Sequence, residues 1–126
     1  LARGLNPRKL ITVFGCGGDR DKEKRPIMGG VAARFSDEII LTADNPRNED
    51  PLQILAEIRK GCDSASVTEI VDRRSAIQHV IAMAGPGDIV MILGKGHETT
   101  QTLKEHTVPF NDREEAEKAL DALLQK

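Results

Sequence analysis

The stretch Leu10-Ile11-Thr12-Val13-Phe14-Gly15-Cys16-Gly17-Gly18 joins an almost unbroken apolar run to a cluster of glycines. A continuous run of this length is typical of a strand that is buried on both faces of a sheet. Glycines that directly follow such a strand favour a tight turn into a helix. The stretch therefore predicts the first strand of a fold in which strands and helices alternate.

Strand-length apolar runs and helical spacings alternate along the rest of the chain. Further strands are predicted at residues 39–41, 67–71 and 89–93, with an irregular edge strand near residues 107–110. Apolar residues recur at helical spacing in four sets: Met28, Val31, Ala32 and Phe35; Leu52, Leu55 and Ile58; Ile77, Val80, Ile81 and Ala84; Ala116, Ala119, Leu120, Leu123 and Leu124. This alternation predicts an α/β fold, a three-layer Rossmann-like domain with a mostly parallel sheet and helices on both faces.

The ends of the predicted helices carry capping residues. Asp50 can cap the second helix, because Pro51 suits the first helical position and Gln53 completes a capping box. The other predicted boundaries are Asp72 and Asn111 as helix starts and Gly61 and Gly85 as helix stops.

Composition excludes several classes of function. A net charge of -2, from 18 basic and 20 acidic side chains, provides no broad basic surface for nucleic acid. No apolar run approaches the roughly 20 residues that span a bilayer, so no membrane segment is expected. Cys16 and Cys62 are expected to be reduced and structural, which suits a cytoplasmic protein. The chain begins at Leu1 without a signal segment, and it is expected to be excised from a longer protein.

Polar segments follow three of the predicted strands. They occupy residues 15–21 after the first strand, 44–47 after the second and 94–98 after the fourth. The carboxyl ends of parallel strands lie at one edge of the sheet, and ligands bind in the crevice beyond that edge. A binding site is therefore predicted where these segments meet.

Each segment also has an interpretation without function. Arg20 stands where a dinucleotide fingerprint has its third glycine, so a tight turn explains the first segment equally well. Asp44-Asn45-Pro46-Arg47 contains ordinary turn residues. The third segment lacks the upstream glycine and the Ser or Thr of a Walker A loop, and His97 beside Glu98 makes a poor metal site.

Several other charged or titratable residues are predicted to be solvated. His79 is expected on an exposed helix face and His106 in a loop. Arg73-Arg74 is interpreted as a solvated helix start, and residues 21–25 as a mixed-charge surface.

Taken together, in this order and at matching strand ends, the three segments resemble the carboxy-terminal domain of the Mur ligase family, in its diaminopimelate-adding branch. The resemblance runs from about Lys9 to the last helix, and it includes Arg25-Pro26 and Pro109-Phe110-Asn111-Asp112-Arg113. It implies that residues 9–126 form the amino-acid-binding domain and that residues 1–8 are a remnant of the interdomain connection.

The resemblance implies which residues contact the amino acid. In the family, the tetrapeptide found here as Asp44, Asn45, Pro46 and Arg47 is the recognition motif for meso-diaminopimelate. Arg20, Gly94 and Glu98 match the remaining contacts of that substrate. The resemblance implies no catalytic residue and no metal ligand in this chain.

The resemblance also implies partners and a reaction. In the family, a central domain binds ATP and Mg²⁺ and activates the carboxylate of UDP-MurNAc-L-Ala-D-Glu, while the carboxy-terminal domain delivers the amino acid. The full-length protein is therefore expected to be a monomeric, ATP-dependent amide ligase of peptidoglycan precursor synthesis. The chain alone is expected to be inactive, because it contains no P-loop.

The residue types agree with that ligand. Meso-diaminopimelate carries a carboxylate and an ammonium at each end. Arg20 and Arg47 offer bidentate donors for carboxylates, and Glu98 can accept from an ammonium. Two other classes of function stay open: a nucleotide-binding Rossmann module with a regulatory or redox role, based on residues 15–18 and Asp44, and a structural docking domain that binds no small molecule.

Overall fold

Strands and helices alternate along most of the chain. A computed structural model describes residues 7–18, 22–62, 66–93, 100–102, 107–109 and 111–124. In chain order the elements are β1 (Leu10–Phe14), α1 (Lys24–Phe35), β2 (Glu38–Leu41), α2 (Pro51–Arg59), β3 (Ser66–Glu69), α3 (Arg73–Met83), β4 (Ile89–Ile92), β5 (Thr100–Thr102), β6 (Thr107–Pro109) and α4 (Asp112–Leu124). Each predicted strand and helix overlaps one of these elements, whereas β5 has no counterpart in the sequence prediction.

Four of the strands form one parallel sheet in the order β3-β2-β1-β4. β1 lies at the centre, and its Thr12 is in register with Ile39 of β2 and Met91 of β4. The chain moves outward from β1 through β2 to β3, and α3 then returns it to the other side of β1. The direction of winding therefore reverses at β1.

Apolar side chains of the sheet pack against helices on both of its faces. One cluster contains Phe14, Ala33, Ile39, Leu41, Ile54, Leu55 and Ile58, and the other contains Ile11, Val13, Ile40, Ala76 and Val80. α1 packs against α2 on the first face, and α4 packs against α3 on the second. The predicted α/β class with three layers is confirmed.

The outer strands are less buried than their apolar runs predict. In β3, Ser66, Thr68 and Glu69 are exposed and Val67 is half-buried, and all four residues of β4 are half-buried. Within the described residues each of these strands has only one neighbour in the sheet. These two strands are therefore not fully buried, and both lie at the outside of the described sheet, where one edge of a strand has no neighbour.

The strand near residues 107–110 does not extend the main sheet. β6 pairs antiparallel with β5, and Val108 is in register with Gln101. An antiparallel pair needs only a short connection, whereas joining the parallel sheet in parallel would require a long crossover. The expected edge strand is therefore half of a separate two-stranded sheet.

The apolar face of α1 is not the face that packs. Met28, Val31 and Phe35, which the spacing predicts to be buried, are 45%, 47% and 55% exposed. The buried face instead contains Gly29 and Ala33. A Cβ at Gly29 would overlap the backbone of α2, so small residues are needed where the two helices approach closely.

Arg25 and Arg73 are buried, although the sequence predicts both to be solvated. The side chains of Arg25 and Arg73 are 1% and 0% exposed. They are buried because carboxylates and backbone carbonyls accept hydrogen bonds from each guanidinium, which offsets the loss of hydration. Arg74 and residues 22–24 are exposed, as expected.

The capping predictions are confirmed at three helix starts. The side chains of Asp50, Asp72 and Asn111 accept from the backbone N–H groups of Leu52 at 3.0 Å, Ser75 at 3.0 Å and Glu114 at 3.2 Å. Such caps satisfy donors that a helix leaves without internal partners. No helix within the described residues has the length and apolar character needed to cross a membrane.

Candidate functional site

The described residues that directly follow β1, β2 and β4 lie at one edge of the sheet. These strands are parallel neighbours in the order β2-β1-β4, so their carboxyl ends share that edge. The winding direction reverses between β1 and β4, and α/β folds bind ligands at such a point. Residues 15–18, 42–47 and 93 are named the rim.

Two glycines bring the first rim segment into main-chain contact with the second. A Cβ at Gly15 would overlap the carbonyl oxygen of Thr42, and a Cβ at Gly18 would overlap that of Pro46. The Gly18 N–H also donates to the carbonyl oxygen of Asn45 at 2.6 Å. Only glycine permits so close an approach, so the glycine-rich loop is built to pack against its neighbour.

The four motif residues form the turn between β2 and α2. Asn45 and Pro46 are buried, whereas Asp44 and Arg47 are half-buried. Arg47 has a left-handed backbone with φ 52°, a conformation that costs an ordinary residue roughly 1–2 kcal/mol. Its Nη1 donates to the carbonyl oxygens of Gly18 at 3.0 Å and Asn45 at 3.4 Å. These contacts hold the guanidinium at the junction of the two loops.

Buried Arg25 ties the same two loops to α1 and α2. Its Nη1 donates to Glu49 and Glu57 at 2.8 Å each. Its Nη2 donates to Glu49 at 2.9 Å and to the carbonyl oxygen of Gly17 at 3.0 Å. Hydrogen bonding to Glu49, helped by Glu57, raises the pKa of Arg25 although burial opposes the charge. The guanidinium is therefore a permanent cation that anchors the first rim segment.

Buried Arg73 contacts the rim from the other face of the sheet. Its Nε and Nη2 donate to the two carboxylate oxygens of Asp112 at 2.7 and 2.6 Å. Its Nη1 donates to the carbonyl oxygen of Ala43 at 3.1 Å, and its Nη2 donates to that of Leu93 at 3.0 Å. One side chain thus joins the ends of β2 and β4 to the first residue of α4.

Cys16 lies in the first rim segment but is not a strong nucleophile. Burial raises the pKa of its thiol, and Asp44 adds to the rise while Arg25 opposes it. A thiol with a raised pKa stays protonated near neutral pH, and the thiolate is the reactive form. Cys62 is also a free thiol, and its Sγ donates to the carbonyl oxygen of Gly29 at 3.4 Å. The Sγ of Cys16 lies 3.6 Å from the Sδ of Met28, and the contacts of both thiols fit structural cysteines.

The seven sequence-predicted contacts fall into two groups. Asp44, Asn45, Pro46 and Arg47 lie together at the rim, next to the glycine-rich loop. Arg20, Gly94 and Glu98 lie outside the described residues, although they follow β1 and β4 in the chain. A binding role for all seven stays a prediction. The sequence interpretation missed the supporting residues Arg25, Glu49, Arg73 and Asp112.

The described structure contains fewer signs of a binding site outside the rim. A groove of about 560 Å³ lies between α3 and α4, lined by residues such as Arg74, Gln78 and Ala119, and none of its lining residues belongs to the rim. No three His, Cys, Asp or Glu side chains are grouped to hold a metal ion in the part of the chain that the structure covers. His79 is exposed on α3, and His97 and His106 lie outside the described residues.

Known proteins are similar to this chain in sequence and in fold. Residues 1–96 match the family model described as Mur ligase, glutamate ligase domain. The chain is 53% identical over 122 residues to the UDP-N-acetylmuramoyl-L-alanyl-D-glutamate–2,6-diaminopimelate ligase of Solibacter usitatus, covering 95% of this chain and 25% of that protein. The identity to the ligase of the same name from Coxiella burnetii is 54% over 113 residues, covering 89% of this chain and 23% of that protein.

A solved structure gives the same result for the fold. It is the structure of a UDP-N-acetylmuramoyl-L-alanyl-D-glutamate–2,6-diaminopimelate ligase, and it matches with a TM-score of 0.90 at 44% identity. The match covers 97% of this chain and 27% of that one. The chain therefore spans about a quarter of the length of these relatives.

Proposed function

The chain belongs to the Mur ligase family, and on that premise we propose that it is the domain that binds meso-diaminopimelate in an ATP-dependent ligase. The acceptor of that ligase is UDP-MurNAc-L-Ala-D-Glu, and the product is a peptidoglycan precursor. In this proposal the chain binds and orients the amino acid whose amine forms the new amide bond. Positioning of a reactant is itself a large part of catalysis.

The observation that carries the proposal is the packing of the glycine-rich loop against the motif. Gly18 lies in main-chain contact with Asn45 and Pro46, and the guanidinium of Arg47 is held on the carbonyl of Gly18. Two segments that are far apart in sequence thus form one surface at the switch point of the sheet. This is where a small ligand of an α/β fold is expected.

The chemistry of the motif fits an amino acid with two zwitterionic ends. Nη1 of Arg47 is held by two carbonyls, and we assign the edge formed by Nε and Nη2 to a carboxylate of the ligand. Asp44 and Asn45 add short polar side chains, and Pro46 restricts the backbone of the turn. In the proposal, Arg20, Gly94 and Glu98 complete the contacts, with Glu98 accepting from an ammonium.

The same contacts give selectivity against L-lysine. L-Lysine has the distal amine of diaminopimelate but lacks the distal carboxylate. It would leave a guanidinium of the site without its partner, which is the kind of omission that sites built on hydrogen bonds reject most strongly.

The remaining partners belong to other parts of the proposed ligase. We place ATP and Mg²⁺ in a separate domain, because residues 94–98 lack the Ser or Thr that follows the lysine of a Walker A loop. That domain also contributes to binding the UDP-linked acceptor. We further propose that the ligase is monomeric and cytoplasmic.

A nucleotide-binding module gains no support from the rim. In a dinucleotide fold, the glycines of the first loop let a pyrophosphate approach the backbone. Here Gly15 and Gly18 are approached by the backbone of Thr42 and Pro46 instead. The need for glycine at both positions is explained without a phosphate.

Kinetics of the full-length ligase test the proposed function. We expect kcat/KM for meso-diaminopimelate to exceed that for L-lysine by roughly three orders of magnitude or more. Arg47→Lys should lower kcat/KM for meso-diaminopimelate by a factor that corresponds to about 2 kcal/mol or more of transition-state stabilisation. The reason is that an ammonium cannot reproduce the bidentate contact of a guanidinium with a carboxylate. The matched control is Arg59→Lys, which alters an exposed ion pair with Glu69. Comparable kcat/KM values for the two amino acids would refute the assignment.

A further inference from the structure

Arg73 connects the ends of β2 and β4, and its proposed role rests on the proposed function. We propose that Arg73 is a positioning residue for amino-acid binding, which fixes the motif that begins at Asp44 relative to the end of β4. It does not touch the amino acid. It acts through the main chain of two residues, Ala43 immediately before the motif and Leu93 immediately after β4.

The position of Arg73 suits this role. β2 and β4 lie on either side of β1, so their ends are separated by two strand spacings, or about 10 Å. The guanidinium lies between the residues that follow these two strands, with Nη1 donating to the Ala43 carbonyl at 3.1 Å and Nη2 donating to the Leu93 carbonyl at 3.0 Å. A shift of either strand end would break one of these hydrogen bonds.

Asp112 fixes the direction in which the guanidinium points. Its carboxylate accepts from Nε at 2.7 Å and from Nη2 at 2.6 Å, and its side chain is only 8% exposed. A planar guanidinium can serve these four acceptors together, whereas the single ammonium of a lysine cannot. In the Arg73→Lys variant, buried carbonyls would lose their partners, and the rim would move to regain them.

A change in the position of the motif would change how the amino acid binds. In the proposed site, the motif after β2 contacts the amino acid at the edge of the sheet where β4 also ends. A displacement of the motif by about 1 Å would lengthen its hydrogen bonds to the amino acid and weaken binding. Arg73 therefore controls affinity for the amino acid without forming part of the pocket surface.

Steady-state kinetics of the full-length ligase with Arg73→Lys test the proposal. We expect KM for meso-diaminopimelate to rise roughly tenfold or more, while KM for ATP and for the UDP-linked acceptor changes less than about twofold. Asp112→Asn keeps the shape of the side chain and removes its charge. Asp112→Asn should also raise KM for meso-diaminopimelate more than KM for ATP or the UDP-linked acceptor, but by a smaller factor than Arg73→Lys. This variant tests the proposal if Arg73→Lys fails to fold.

Two control variants separate positioning from general stability. Arg74→Lys weakens the ion pair between the exposed Arg74 and the buried Glu115, which joins the same two helices. Val80→Ala removes buried volume from α3 and lowers the melting temperature without altering the Arg73 contacts. Both should leave KM for meso-diaminopimelate within about twofold of wild type.

Two outcomes overturn the proposal. One is an equal rise in KM for all three substrates in Arg73→Lys. The other is a rise for meso-diaminopimelate no larger than that of Val80→Ala at a matched loss of melting temperature. Wild-type enzyme that does not prefer meso-diaminopimelate would contradict the proposed function instead, and the effect of Arg73→Lys would then be measured on the amino acid that the enzyme uses.

Discussion

At the scale of single residues, the rim depends on how closely two backbones approach each other. Gly18 has no room for a Cβ beside the carbonyl of Pro46, and its own N–H and carbonyl bind Asn45 and Arg47. The left-handed backbone of Arg47 directs its side chain back over this contact. The glycine and the arginine are therefore parts of one local arrangement.

Gly18→Ala should disrupt that arrangement. The atoms that meet the new methyl group are backbone atoms, which cannot move aside cheaply, so we expect the free energy of unfolding to fall by roughly 1–3 kcal/mol. Urea unfolding of the chain measures this change. Gly30→Ala, in α1, is the matched control, since its Cβ would lie 3.4 Å from its nearest neighbour, the carbonyl oxygen of Gly61. Alanine favours a helix interior, so Gly30→Ala should raise the free energy of unfolding by up to about 1 kcal/mol. Equal effects of the two substitutions would contradict the packing described here.

The sequence alone reveals only part of this residue-scale detail. The resemblance points to Arg47 at once, because the motif is intact. The charge of Arg73 predicts a solvated side chain, although Arg73 shares the helical spacing of the buried residues Ala76, Ile77 and Val80. That spacing was a usable signal. The partners of Arg73 were not predictable, because Asp112 lies 39 positions away in the chain.

At the scale of elements, apolar periodicity predicts where helices and strands occur better than which side of them is buried. α1 exposes Met28 and Phe35 because its packing face is chosen by close approach to α2, which favours Gly29. The exposure of β3 depends on its place at the outside of the described sheet. Strand order is set by contacts between distant segments, so local pattern cannot supply it.

The turn before β4 is held by an ion pair that makes stability depend on pH. Hydrogen bonds from Arg8, and then from the backbone N–H of Gly85, lower the pKa of Asp88 from 3.8 to about 2. As the pH falls, the unfolded chain therefore takes up a proton at Asp88 at a higher pH than the folded chain does. The contribution of this pair to stability is present above about pH 4, declines as the pH falls and is lost below about pH 2.

Asp88→Asn should remove that part of the pH dependence. We expect the variant to be less stable than wild type at pH 7 and to lose less stability between pH 5 and pH 2, because asparagine does not titrate. Urea unfolding across this pH range provides the measurement. Arg8→Gln should reproduce part of the effect, since it removes the other member of the pair but leaves the hydrogen bond from the Gly85 N–H to Asp88. Parallel curves for wild type and Asp88→Asn would show that the ion pair does not contribute.

At the scale of the whole molecule, the parallel sheet explains how distant segments form one candidate site. Segments that begin at Gly15, Thr42 and Leu93 are far apart in sequence, but they follow three neighbouring strands whose carboxyl ends coincide. That convergence was predictable from the alternation of strands and helices. What was not predictable is the bracing of the rim by Arg25 from one face of the sheet and by Arg73 from the other.

A crystal structure of the full-length ligase with meso-diaminopimelate would show where the amino acid binds. We predict that the amino acid lies at the rim, with one carboxylate paired to the guanidinium of Arg47 while Nη1 keeps its contact with Gly18. An amino acid bound in the groove between α3 and α4 or on another domain, without contact to Arg47, would contradict the proposed binding site.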